Sequence, residues 1–102
     1  MIETKQLRYF IAVAESSSFS NAAQKLYITQ PALSQQISKL EEQLGVILVD
    51  RNTRFVQLTA AGRDLYRRSL HLLRELENMV QSVVSADSLG FTSQTLTVCL
   101  ED

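Results

Sequence analysis

From Thr59 to about Ala86 the chain keeps a helical period without a proline, and that run constrains the fold more than any other feature. Thr59 is a strong N-cap type. One apolar row is Leu65, Leu72, Leu76, Met79 and Val83, and a second is Tyr66, Leu70, Leu73, Val80 and Val84. Arg63, Asp64, Arg67, Arg68, Arg74 and Glu75 fall mainly on the remaining face. As an α-helix this segment would be roughly 42 Å long, whereas residues 1–58 make a compact body only about 27 Å across. The helix must overhang, and its apolar rows continue into the overhang. Leaving those side chains wet forgoes roughly 1.5–3 kcal/mol for each large one. One row can pack on the chain's own first helix. The other calls for a second copy about a two-fold axis, with Leu65, Leu72, Leu76, Met79, Val80, Val83 and Val84 as the dimer interface. A following domain that covers the same residues is the alternative.

Residues 1–58 read as three helices and a hairpin. Leu7, Phe10, Ile11 and Ala14 form a stripe at i, i+3, i+4 and i+7, which predicts a first helix over 4–16 capped by Thr4. The "SSSFS" that follows favours caps and turns. A short second helix is expected over 20–26 from Ser18 or a neighbour, with Ala22 and Ala23 small enough for close helix approach. The third runs from Gln30 to Leu44. Pro31 suits its first turn, Leu33, Ile37, Leu40 and Leu44 form its inward row, and Gly45 supplies a left-handed stop. A short helix, a tight turn and a longer amphipathic helix make a helix-turn-helix candidate. Two β-favouring runs, 47–50 and 55–58, then flank "RNTR" as a small wing with Arg51 and Arg54 near its tip. Gly62 sits inside the first turn of the long helix at a cost in propensity, and close backbone contact is one explanation. "DSLGFTSQ" in 87–95 reads as a hinge, and "LTVCLED" in 96–102 alternates like the first strand of a second, truncated domain.

Composition narrows the function by exclusion. The single Cys99 allows no internal disulfide, and with one His71 there is no metal-ligand spacing. No nucleophile–base set or phosphate loop appears, so an enzyme is not expected. "MIETKQLRYF" has no apolar signal core and no run approaches a membrane span, so a reducing, cytoplasmic setting is the default. Net charge is −1, so an electrostatic case for nucleic acid must rest on placement. The outward half of the third helix is the unusual surface. Gln30, Ser34, Gln35, Gln36 and Ser38 are uncharged hydrogen-bonders where a solvated face normally carries Lys and Glu.

The run "LRYFIAVAESSSFSNAAQKLYITQPALSQQISKLEEQLGVILVDR" followed by "LTAAG" resembles the N-terminal domain of LysR-type transcriptional regulators. The likeness covers roughly residues 7–86, with several separated motifs in order. It implies a mainly α fold: a winged helix-turn-helix of three helices and a two-stranded wing in 1–58, followed by a long dimerisation linker helix in 59–86. It implies a DNA-binding domain of a regulator that recognises an interrupted inverted repeat in double-stranded promoter DNA as a homodimer, with tetramers possible in the full-length protein. A small-molecule effector is expected in a C-terminal domain beyond this segment, and no cofactor within it. Carried over residue by residue, Gln30, Pro31, Ser34 and Gln35 are expected at base edges in the major groove. Ser18, Ser20, Thr29 and Lys39 are expected on the DNA backbone, and Arg51 and Arg54 at the minor groove. Asn21 stands where the family often has a basic residue, and Gln35 where many members have Arg. The competing function is a winged-helix protein-interaction and oligomerisation module that binds no DNA. For Gln30, Ser34 and Gln35 the plain alternative is solubility, for Arg54 a solvated hairpin tip, and for Lys39 a local ion pair.

Overall fold

The structure, a computed structural model, describes residues 1–52 and 55–94, the side chains of 88–94 excepted. The elements in chain order are α1 (Thr4–Ser16), α2 (Phe19–Leu26), α3 (Gln30–Leu44), β1 (Val49–Asp50), β2 (Gln57–Leu58) and α4 (Ala60–Gln94). They fall into two units, Met1–His71 and the chain from Leu72 onward.

Each helix of the first unit has an identifiable start and stop. α1 begins one residue earlier than expected, with Glu3 as N-cap and Thr4 already helical. The Gln6 side chain decides this, because its Oε1 accepts from the Glu3 N–H at 2.8 Å. α2 is capped by Ser18, whose Oγ accepts from the Asn21 N–H at 3.2 Å, so Phe19 and not Ser20 is its first residue. α3 is capped by Thr29 and has Pro31 in its first turn. It stops at Gly45 with φ 74°, whose N–H reaches the Glu41 carbonyl at 2.7 Å.

The core holds Phe10 and Val13 of α1, Ala22 and Ala23 of α2, Leu33, Ile37 and Leu40 of α3, and Leu48 and Val49 at the wing's first arm. Ala22 and Ala23 are buried, which is where small side chains let α2 approach its neighbours. Leu44, expected in the inward row of α3, lies at the helix end and is exposed. Ile11, on the expected apolar stripe of the first helix, is only half-buried. Leu65, expected at a dimer interface, packs half-buried against this core. It lies early in α4, where the body is still within reach.

The wing is antiparallel, pairing Val49 with Leu58 and Asp50 with Gln57. It is shorter than the two expected runs. The Asp50 carboxylate accepts from the Asn52 N–H at 2.9 Å, closing a side-chain turn that bends the chain off the ladder directly after β1. The Val56 N–H then donates to the Ser17 carbonyl at 3.3 Å, so the returning arm is tied to the end of α1.

The wing and α4 meet at Thr59. Its Oγ accepts from the Gly62 N–H at 3.0 Å, capping α4, and donates to the Ile47 carbonyl at 2.6 Å. Its N–H donates to the Leu48 carbonyl at 3.0 Å. Gly62 is buried against the same carbonyl: a Cβ there would lie 2.1 Å from the Leu48 oxygen. Only glycine fits, and close backbone contact is the reason for it.

α4 continues through 87–94, where a hinge was expected. One glycine costs a helix about 1 kcal/mol and no proline follows to stop it, so the breakers of that stretch are too weak to end the helix. The expected strand over 96–102, Cys99 and Arg54 lie outside the described residues. In the second unit Leu73 is buried and Leu76 half-buried, while Leu72, Met79, Val80, Val83 and Val84 are each at least 51 % exposed. Among the described residues no helix is long and apolar enough to cross a membrane.

Candidate nucleic-acid interface

α3 has two chemically distinct sides. Leu33, Ile37 and Leu40 are fully buried and fix the helix against α1 and α2. That packing turns Gln30, Pro31 and Gln35 to solvent and leaves Ser34 half-exposed. Gln30 and Ser34 line an open cleft of about 650 Å3 that also takes in Ser18, Phe19 and Ser20 at the start of α2 and Asp50, Arg51 and Phe55 of the wing. The structure thus gathers Gln30, Ser34, Ser18, Ser20 and Arg51 around one concavity. Pro31, Gln35, Thr29 and Lys39 lie on the exposed surface outside its lining.

The two cap residues serve two ends at once. The oxygens of Ser18 and Thr29 accept backbone N–H groups, the latter from Ala32 at 3.3 Å. A hydroxyl that accepts still has its proton to give, so each cap can donate outward to an anionic oxygen. Lys39 makes no ion pair among the described residues, so the alternative of a local pair with Glu41 or Glu42 is not what the structure holds.

Arg51, expected at the minor groove, has two partners within the body. Its Nη1 donates to Glu41 Oε1 at 3.0 Å, and its guanidinium lies 5.4 Å from the centre of the Phe19 ring. Glu41 itself is buried, and its Oε2 accepts from the Leu48 and Val49 N–H groups at 2.7 and 3.1 Å. Burial alone would raise the Glu41 carboxyl, but the Leu48 N–H, the Arg51 guanidinium and the Val49 N–H outweigh it and hold the carboxyl below its usual range. One carboxylate therefore joins the inner face of α3 to the start of the wing. These two contacts hold the Arg51 side chain, which stays 36 % exposed. Glu41, Phe19 and Asp50 were missed as site residues in the sequence. For Glu41 the signal was present, since it lies four residues past Ile37 and so on the inward face.

Among the described residues no group of His, Cys, Asp and Glu could hold a metal ion. Residues 4–63 match the family described as "Bacterial regulatory helix-turn-helix protein, lysR family". The chain belongs to that family. It is 42% identical over 102 residues to the probable cat1 operon transcriptional activator of Acinetobacter lwoffii, covering 93% of this chain and 34% of that protein. AlsR of Bacillus subtilis is 59% identical over 61 residues, 60% of this chain and 20% of the relative. Among solved structures, the BenM DBD in complex with catB site 1 DNA superposes with a TM-score of 0.83 at 44% identity, over 85% of this chain and 94% of that one. A CbnR DBD–DNA complex gives 0.79 at 36% identity, over 83% and 98%. The chain spans about a third of the length of the first of these relatives. The LysR domain accounts for the arrangement of α1 to α3, the wing and the start of α4.

Proposed function

We propose that this chain is the DNA-binding part of a LysR-type transcriptional regulator, reading double-stranded promoter DNA through the outward half of α3 and acting as a pair of copies joined along α4. The observation that carries this is the neutral, hydrogen-bonding face of Gln30, Ser34 and Gln35 on a helix whose opposite row is fully buried. Gln pairs with adenine at two positions and Ser can donate or accept at several base edges, whereas Lys or Glu would favour guanine or cytosine or be repelled by nearby phosphates. Pro31 offers apolar contact to a thymine methyl. In this reading Ser18, Ser20, Thr29 and Lys39 hold the DNA backbone, and Arg54 is the wing's contribution to a minor groove. The solved DNA complexes of similar domains support the assignment. The exposed Leu72, Met79, Val80, Val83 and Val84 support pairing through α4. Effector recognition belongs, in this proposal, to a further domain of a longer regulator.

Selection of bound duplexes from a random pool tests the proposal. A defined inverted-repeat preference is expected, and Gln30→Ala or Ser34→Ala should shift it while costing about 1–3 kcal/mol on the selected site. Equal losses on selected and random DNA would remove the base-reading role. Binding that ignores salt would instead favour a protein-interaction module.

A further inference from the structure

Among the described residues, the cleft between α2, α3 and the wing contains one cation, and its position is fixed before any ligand arrives. Arg51 and Asp50 are the only charged residues on its described lining. The Arg51 side chain is 36 % exposed. Of its guanidinium nitrogens only Nη1 has a hydrogen-bond partner among the described residues, so the donors on Nε and Nη2 stay open. Two restraints from different elements, the Glu41 carboxylate of α3 and the Phe19 ring of α2, hold the group. A guanidinium restrained this way loses less side-chain entropy on meeting an anion than a free surface arginine does.

Building on the proposed DNA-binding function, we infer that Arg51 is a phosphate anchor in this cleft and that Glu41 is its positioning residue. The ligand is a backbone phosphate of the strand that passes between Ser18, Ser20 and the wing. Guanidinium matches phosphate oxygens in a planar, two-point geometry that an ammonium lacks. Glu41 does not cancel this capacity, because the Leu48 and Val49 N–H groups take up part of its charge. The role differs from that of a wing-tip arginine: it supplies register and charge at the backbone, and no base preference.

Titration of a labelled 25-base-pair duplex of random sequence at several KCl concentrations tests this, with wild type, Arg51→Gln and Arg67→Gln compared. Arg67 is an exposed cation paired with Asp64 and serves as the control for simple loss of charge. Wild-type binding that weakens with salt is expected. Arg51→Gln should lower affinity roughly tenfold and flatten the slope of log K against log salt by about 0.9 per protomer, while Arg67→Gln leaves the slope unchanged. An Arg51→Gln slope equal to wild type overturns the anchor and leaves the DNA-binding proposal standing. A wild type that binds no duplex overturns both. Should Arg51→Gln fail to fold, side-chain 15N spectra of wild type decide the matter. The Arg51 Nε–H signal, assigned by its absence in Arg51→Lys, should shift and gain protection from exchange on adding duplex while that of Arg67 does not. An unmoved Arg51 signal overturns the anchor.

Discussion

In the winged body Phe10, Val13, Leu33, Ile37 and Leu40 are wholly buried, while in α4 beyond His71 Met79, Val80, Val83 and Val84 stay more than half exposed. The residue types are equally apolar. What differs is the supply of neighbours: three short helices, a wing and the first turns of α4 close a core together, and the remainder of one helix cannot. The body is therefore a closed folding unit, whereas the far part of α4 keeps an apolar surface open among the described residues.

Matched truncations sharpen that contrast. Leu40→Ala should cost about 2–5 kcal/mol in thermal or urea unfolding, because it leaves a cavity in a closed core. Val83→Ala should change unfolding of the dilute chain by less than about 0.5 kcal/mol yet weaken self-association in sedimentation. Equal unfolding costs at the two positions would break the distinction. Gly62→Ala probes the seam between wing and α4. The added methyl would meet the Leu48 carbonyl at 2.1 Å, and a loss of about 2–3 kcal/mol is expected despite alanine's better helix propensity. A variant that melts with wild type would mean the seam can open without loss.

A smaller effect is expected at Glu41. Its carboxyl is held low, so it binds a proton more readily in the unfolded chain. The stability it contributes is present above about pH 4.3, the ordinary glutamate value, and is lost as pH falls through the lower folded value. Glu41→Gln should cost about 1–2 kcal/mol at neutral pH and flatten the acid limb of stability against pH. An acid limb identical to wild type would assign the low-pH loss to other carboxylates. The smallest effect concerns Tyr27, which ends α2 with φ 59° and is 95 % exposed. Asn tolerates that backbone better, so Tyr27→Asn should be neutral or stabilising by about 0.5 kcal/mol in the same melts, and a clear loss would show that the ring has a packing role.

The helices were legible because their punctuation is local. Pro31 and Gly45 bound α3, Ser18 and Thr59 cap α2 and α4, and the inward row of α3 follows from its period. What escaped depends on partners distant in sequence. Glu41 stands among Lys39 and Glu42 and looks solvated until the Leu48 and Val49 N–H groups are brought onto it. Arg51 looks like a hairpin-tip cation until α2 supplies Phe19. Gly62 was conspicuous in the sequence, but its cause is a carbonyl on the wing. The extension of α4 past Ala86 was missed because serine, glycine and aspartate weaken a helix without ending it.

The joint at Thr59 has a mechanical consequence. Its side chain caps α4 and grips Ile47, its amide grips Leu48, and Gly62 presses on that same peptide. The first turn of α4 is thus fastened to the segment directly before β1, which leads through the strand to Arg51. A change that loosens Thr59 or Gly62 therefore acts on the wing's first arm as well as on the start of α4.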